Sequence, residues 1–305
     1  MLVKKLGIGR IWRWNVSKIR FSLIEHPWFF LFVFIIATMV CQIIVGLVLV
    51  WVFKLTNGAP TASFWLMLLS NLLLLFIIVP FILGFPKRSH PYETYLSEIR
   101  LTRIKPLLRL ILLGVSCYLI LAACTVAGVL IYRLTHGLPV NMSFMRYSFV
   151  ISKELPPHSM SWLYTLPSIL EEVAFRGVIL AMFLRFYNQP KAILFSALGF
   201  GAIHLGNMLS GGDPVWVTGQ AVWAAILGLF YGYVTLKTNS LLPAMIVHYL
   251  SNLFVSALNA YIQTNATIPE QALYGIIFTF GAVPTILMIL WVRGYTSWMK
   301  MTPAT

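Results

Sequence analysis

Six polar side chains stand out inside apolar stretches of this 305-residue chain, where ionisable groups are costly and therefore rare without a function. They fall in three short segments, each within a different stretch, and they are Glu171, Glu172, Arg176, His204, His248 and Asn252. Glutamate and histidine can transfer protons, arginine can balance a buried carboxylate, and asparagine can donate hydrogen bonds. Such a set is typical of water activation and carbonyl hydrolysis at membrane depth.

The three segments are predicted to lie at a common depth. With a helical rise of about 1.5 Å per residue, Glu171, His204 and Asn252 lie roughly 21, 20 and 22 Å from the basic residue that flanks each stretch. His248 lies roughly 16 Å from the same kind of flank. Three separate helices can therefore present these side chains to one cavity.

Spacing within each helix assigns further roles. Three pairs are four residues apart and share a helix face: Glu172 with Arg176, Phe200 with His204, and His248 with Asn252. We expect the first pair to be a supporting ion pair and the Phe200 ring to pack beneath the His204 imidazole. Glu171 is offset by about 100° from Glu172 and has no polar partner four residues further on.

A mechanism follows from these placements. A carboxylate in a low-dielectric pocket becomes a competent base near neutral pH, so we predict that Glu171, with His204, orients and deprotonates a water. His248 and Asn252 are predicted to donate hydrogen bonds to the oxyanion that forms at a peptide carbonyl. Glu172, Arg176 and Phe200 are the predicted supporting residues.

The elements that position these residues are predicted to be membrane-spanning helices. Hydrophobic residues make up 59% of the chain and charged residues 10%, whereas soluble domains carry about 25% charged residues. The mean hydropathy is +0.85. Runs of about 20 apolar residues are long enough to span a bilayer, and eight are predicted, at about 28–53, 65–85, 107–132, 160–185, 191–209, 215–236, 241–260 and 271–292.

The fold class expected from this pattern is all-α, a polytopic membrane helix bundle with about eight transmembrane helices. We divide it into a basic cytoplasmic segment over 1–27, the first three helices over 28–150, a catalytic core over 151–262, and the last helix with a cytoplasmic tail over 263–305. The three cysteines form no CxxC pair and no metal-ligand spacing.

The distribution of positive charge predicts the orientation. The formal net charge is +14, but the basic residues lie in short segments between apolar runs, so we exclude a nucleic-acid partner. Sixteen Lys and Arg fall on one side, four on the other and two within spans, which places both termini in the cytoplasm. Membrane lipids are an expected partner, since residues 1–27 combine basic and aromatic side chains.

Three motifs in order resemble one known family. Glu171 to Gly177 matches EExxxR, Phe200 to His204 matches FxxxH, and His248 to Asn252 matches HxxxN of the CPBP family, the CAAX proteases and bacteriocin-processing enzymes. The resemblance covers roughly residues 160–260. It implies an eight-helix core and a glutamate-dependent intramembrane endopeptidase that acts on a membrane-associated peptide or protein, with residue roles that match those above. It also implies an integral membrane protein, and the short loops suggest a bacterial cell membrane.

Alternatives to a metal-independent protease remain open. A zinc protease could use Glu171, His204 and His248, because two histidines and a glutamate are a known catalytic zinc set. The sequence lacks HExxH, so we expect no cofactor and hold zinc as the less favoured reading. A non-catalytic immunity or binding protein could retain the pocket, although binding alone needs no base. A transporter would be expected to show two related halves, and no such repeat stands out.

Overall fold

The computed structural model describes residues 25–54, 60–85, 91–139, 165–265 and 282–299. Within these ranges the chain forms helices and no strand, so the all-α prediction is confirmed. Of the segments discussed above, residues 1–24, 140–164 and 266–281 lie outside the described residues, including most of the basic segment at 1–27.

The helices are numbered here in chain order. They are α1 (Pro27–Trp51), α2 (Pro60–Leu73, a π-helical turn at Leu74–Ile78, then Val79–Ile82), α3 (Tyr92–Glu98), α4 (Leu107–Thr135), α5 (Pro167–Glu172, a π-helical segment at Val173–Ile179, then Leu180–Leu184), α6 (Gln189–His204, then a 3₁₀ segment at Leu205–Ser210), α7 (Pro214–Thr238), α8 (Leu242–Asn265) and α9 (Ala282–Trp298).

Five of the described helices are long and apolar enough to cross a membrane, namely α1, α2, α4, α6 and α7. The helix α5 is less apolar because it carries Glu171, Glu172 and Arg176. The predicted spans match these helices with small shifts: the 241–260 span corresponds to α8, and the 271–292 span overlaps α9, which continues to Trp298. A membrane helix bundle is therefore supported, and eight spans stay a prediction.

Local sequence explains where the site helices begin and end. Proline in the first turn starts α5, α6 and α7, where the missing N–H would have no helical partner. The side chains of Asn188 and Asp213 cap α6 and α7 by accepting from the backbone N–H groups of Lys191 and Trp216. Helix α7 ends at Asn239, which adopts the left-handed conformation.

Small residues let α6 lie against α7. A Cβ atom added to Gly201 would lie 2.6 Å from the carbonyl oxygen of Ala221 and 2.9 Å from the Cβ of Ala225. Membrane helices use such small residues because close backbone approach replaces the hydrophobic driving force available in water. This contact fixes α6, and with it Phe200 and His204, against α7.

A π-helical segment interrupts α5 directly after Glu172. The N–H of Leu180 donates to the carbonyl oxygen of Phe175, five residues back. The hydroxyl of Ser196 on α6 donates to that same carbonyl at 2.7 Å. Wider turns of this kind are often found at functional sites, and here the turn ties the segment that carries Arg176 to α6.

Candidate active site

The two adjacent glutamates of α5 have different surroundings. The Glu172 side chain is fully buried, whereas 23% of the Glu171 side chain is exposed. Consecutive helical residues point about 100° apart, so Glu172 turns into the packed bundle while Glu171 borders a cavity. The structure therefore separates a carboxylate that can reach a water or substrate from one that cannot.

Glu172 and Arg176 form the ion pair predicted from their spacing. The Arg176 Nη1 atom lies 3.2 Å from the Glu172 Oε1 atom, with both side chains fully buried. The guanidinium also lies over two aromatic rings, 4.2 Å from the centroid of Phe200 and 5.0 Å from that of Tyr231. A cation buried between rings is attracted by their π faces, so α5, α6 and α7 all hold Arg176.

The same carboxylate of Glu172 also binds His248 from α8. The His248 Nδ1 atom lies 2.7 Å from Glu172 Oε1, and its Nε2 atom lies 3.8 Å from Glu171 Oε2. The imidazole stacks on the Tyr231 ring at 5.2 Å with an interplanar angle of 17°. One histidine thus lies between the two glutamates, with its ring plane set by an aromatic neighbour.

Hydrogen-bond roles follow from these contacts. An ionised carboxylate can only accept, so Nδ1 of His248 carries the proton that is donated to Glu172. If Nε2 is protonated as well, the cluster of two glutamates, Arg176 and His248 has no net charge, which a low-dielectric interior favours. The proton on Nε2 then faces Glu171 and the cavity.

His204 has its tautomer fixed by its own helix. Its Nδ1 atom lies 2.8 Å from the carbonyl oxygen of Phe200, which can only accept, so Nδ1 carries the proton. In the neutral ring, Nε2 is left with a lone pair that can accept a proton or a hydrogen bond. The Phe200 ring meets His204 edge to face at 4.9 Å, the packing predicted from their spacing.

A cavity of about 420 Å³ joins these groups. All four residues predicted to be catalytic line it: Glu171, His204, His248 and Asn252. The remaining lining residues come from α1, α2, α5, α6 and α7 and include Thr38, Gln42, Asn71, Phe200, Asn207, Gln220, Trp223 and Tyr231. The structure thus brings together side chains that the sequence spreads over more than 80 residues.

Sequence reasoning missed several residues at this site. Tyr231 contacts both His248 and Arg176, yet a tyrosine within an apolar helix gives no signal of its own. The amides Gln42, Asn207 and Gln220 were missed because no motif contains them. A search for every amide at the depth of His204 would have found Asn207, three residues further along the chain.

The residues named for the zinc alternative do not form a ligand set in this arrangement. Across the ranges that the structure describes, no group of three or more His, Cys, Asp or Glu side chains is gathered closely enough to hold a metal ion. Nδ1 of His248 is engaged with Glu172, and Nδ1 of His204 with a carbonyl. We derive no catalytic step through a metal, and metal dependence stays a prediction.

Residues 155–254 match the family model of the type II CAAX prenyl endopeptidase Rce1-like family. The matched residues include all three motifs, so the predicted resemblance is confirmed over this third of the chain. No curated protein and no solved structure matches the chain. The match supports a CAAX-type protease in a membrane.

Proposed function

We propose that the protein is an intramembrane endopeptidase of the CAAX type that cleaves a peptide bond in a membrane-associated peptide or protein. One observation carries the proposal: a single cavity is lined by Glu171, His204, His248 and Asn252, and a fully buried ion pair holds the histidine of α8. The family match supports the reaction class. A pocket that only binds a ligand would not need a base next to two groups that can donate hydrogen bonds to an oxyanion.

The reaction begins with water bound between Glu171 and His204. Glu171 takes one proton, while the lone pair on Nε2 of His204 accepts a hydrogen bond from the same water and orients it. The oxygen attacks the substrate carbonyl carbon, and the C=O electron pair moves to the oxygen. Glu171 then gives its proton to the leaving amine as the C–N bond breaks, which releases a carboxylic acid and an amine.

The oxyanion is stabilised from α8. The protonated Nε2 of His248 and the side-chain amide of Asn252 donate to it, and preorganised donors in a dry cavity contribute strongly to such steps. Glu172 and Arg176 are positioning residues, since they touch neither the water nor the carbonyl. Their carboxylate–guanidinium pair keeps His248 oriented and balances the charge of its imidazolium form.

The setting of the reaction is also part of the proposal. We place the chain in a bacterial cell membrane with both termini in the cytoplasm, with membrane lipids around the bundle and with no nucleic-acid partner. Processing of a bacteriocin or a related peptide is a candidate role, and immunity by peptide binding is the outcome to expect if the purified protein cleaves nothing.

The test compares wild type with Glu171→Gln, which keeps the size of the side chain and removes the base. Both proteins are purified in detergent, matched for thermal stability, and incubated with a panel of farnesylated and unmodified membrane peptides whose products are measured by mass spectrometry. We expect a loss of about 10²–10⁴-fold in rate for the variant. Equal cleavage by both proteins would show that Glu171 is not the base.

A second arm addresses metal dependence. Wild-type activity is measured after extended chelation, and the zinc content of the purified protein is quantified. We expect full activity after chelation and no stoichiometric zinc. Loss of activity that added zinc restores would instead favour the His₂Glu zinc mechanism.

A further inference from the structure

Two arginines converge on one amide where the connection before α4 meets the end of α7. Arg100 Nε donates to the Oδ1 atom of Asn239 at 3.2 Å, and Arg103 Nη1 donates to the same oxygen. Both arginines lie in the segment between α3 and α4, and Asn239 directly follows α7. One uncharged oxygen therefore holds two guanidinium groups side by side.

The backbone adopts unusual conformations at this junction. Arg100 has a φ of 62° and Asn239 a φ of 54°, and they are two of the three non-glycine residues with positive φ in the described ranges. Left-handed backbone is unfavourable for residues with a side chain, although asparagine tolerates it better than arginine does. Such conformations persist where the surrounding structure holds them, and they cluster at functional sites. The conformation of Arg100 therefore points to a binding role.

The positive charge of this arginine pair is poorly balanced. No carboxylate of the described residues lies within 4.0 Å of either guanidinium. Glu98 is the acid whose charge acts on Arg103, but burial raises the pKa of Glu98 to about 7, which makes it a weak counter-charge at neutral pH. Burial, and then the charge of Arg103, lower the pKa of Arg100 to about 10, so Arg100 stays protonated. Uncompensated charge in a half-buried position is costly.

Most N–H groups of the pair are unused. Each guanidinium has five N–H donors, and the contacts with Asn239 use one from each. Nη1 of Arg100 is buried and has no hydrogen-bond partner in the part of the chain that the structure describes. Both side chains are half-buried, so part of each is accessible. A buried donor without a partner calls for one, and the charge of the pair favours an anion.

The surroundings of the pair favour a lipid as the source of that anion. The helices that begin and end beside it, α4 and α7, are both long and apolar enough to cross a membrane. Three apolar side chains that follow Arg103 along the chain are exposed, namely Ile104, Leu107 and Leu108. A lipid whose phosphate binds the arginines can lay its acyl chains along these residues. Basic pockets between membrane helices bind anionic headgroups in this way.

We propose that Arg100 and Arg103, gathered by Asn239, bind a phosphate group, and that this phosphate belongs to an anionic membrane lipid. Planar guanidinium groups match phosphate oxygens, and two of them can hold one phosphate through paired, charge-assisted hydrogen bonds. None of the three residues lines the described catalytic cavity. The inference is therefore independent of the proposed protease function.

Binding is tested on the full-length protein in a neutral detergent. Phosphatidylglycerol, which carries a net negative charge, and phosphatidylcholine, whose phosphate is balanced by a quaternary amine, are titrated while the melting temperature is measured. A ligand that binds only the folded state raises this temperature. We expect phosphatidylglycerol to raise it and phosphatidylcholine to have little effect. Equal shifts with the two lipids would overturn the proposal.

Paired variants locate the site. Arg100→Gln with Arg103→Gln removes both guanidiniums, and the matched control, Arg109→Gln with Arg293→Gln, removes the same charge from two exposed positions. We expect the Kd for phosphatidylglycerol to rise about tenfold or more in the first variant and to stay within about twofold in the control. Equal weakening in both would show only diffuse attraction to a positive surface, and the proposed site would be wrong.

A lysine variant guards against a folding defect. Arg100→Lys with Arg103→Lys keeps both charges but loses the planar groups that pair with phosphate. We expect it to melt like wild type without added lipid and to bind phosphatidylglycerol about fivefold more weakly, as for the loss of one hydrogen bond to a charged group. Wild-type affinity in this variant would contradict a specific phosphate site.

Soluble phosphates distinguish a lipid from a free phosphate compound. Inorganic phosphate and glycerol 3-phosphate are added to the complex with phosphatidylglycerol at constant ionic strength. We expect neither to displace the lipid, because neither has acyl chains to cover the exposed apolar residues. Displacement by either compound, or a rise in melting temperature with inorganic phosphate alone, would overturn the lipid as the source of the phosphate.

Discussion

The Nδ1 atom of His248 lies 2.7 Å from Oε1 of Glu172, an oxygen that also lies 3.2 Å from Nη1 of Arg176. One buried carboxylate oxygen thus joins an imidazole and a guanidinium from two helices. The arrangement gives the second glutamate of the EExxxR motif a physical role, because it orients and balances a histidine that faces the cavity. It also predicts that stability and activity can be separated at this site.

The first prediction concerns Glu172→Gln. The variant breaks a buried ion pair, which costs about 3–5 kcal/mol. It also replaces the charged acceptor that orients His248 with a neutral amide that can turn its NH₂ group toward the imidazole, so we expect kcat to fall by roughly 10²–10⁴-fold. Thermal unfolding in detergent and kcat are the measurements.

The matched control adds Arg176→Met to Glu172→Gln. Removing both charges should restore much of the lost thermal stability, since no unpaired ion remains buried, while kcat stays low because His248 still lacks a charged partner. If activity returns together with stability in the double variant, Glu172 has only a structural role.

A second prediction concerns the ring of Tyr231, which stacks on His248 and lies over Arg176. Tyr231→Phe keeps the ring, so kcat should stay within about twofold. Tyr231→Leu removes both ring contacts and should lower stability by about 1–3 kcal/mol and reduce kcat. Equal behaviour of the two variants in unfolding and kinetic assays would argue against a role for the ring.

A third prediction uses two glycines of the same segment. Gly201→Ala would place a Cβ atom 2.6 Å from the Ala221 carbonyl, which must push α6 from α7 and shift His204. We expect a loss of about 1–3 kcal/mol and lower activity. Gly206→Ala is the control, because its Cβ would meet only the Met39 methyl at 3.7 Å. Thermal unfolding of both variants provides the comparison, and similar melting temperatures would contradict the expected clash.

The fourth prediction concerns pH and Glu98, which lies in α3 outside the predicted spans. Burial raises the pKa of Glu98 to about 7, against a lowering by the positive charges of Arg185 and Arg103. The folded state therefore holds this proton more tightly than the unfolded chain. The free energy of unfolding should fall as pH rises from about 4.5 to 7 and then level off.

The size of this effect is set by the partial exposure of Glu98. Solvent screening reduces it to roughly 1 kcal/mol. Glu98→Gln should flatten the curve of melting temperature against pH between 5 and 8 and stabilise the protein at pH 8. A variant with the same slope as wild type would show that another group titrates in this window.

Much of the site follows from the chain alone, because the relevant relationships are local. The charge-poor composition requires a lipid environment, and helices follow because they satisfy every backbone group within hydrocarbon. Glu172 with Arg176 and Phe200 with His204 are four residues apart on one helix, and the helical repeat brings each pair into contact whatever the rest of the fold does. The three motifs likewise contain the four predicted catalytic side chains that line the cavity.

The tertiary structure decided the rest. Glu172 and His248 are separated by 76 residues, and their contact depends on how α5 and α8 are rotated and tilted, which residue spacing does not encode. The same holds for Tyr231, whose ring meets His248 through the packing of α7 on α8, and for the π-helical segment, which a repeat of 3.6 residues does not predict. Contacts between helices arise from packing among all of them, so they emerge only once the whole bundle is assembled.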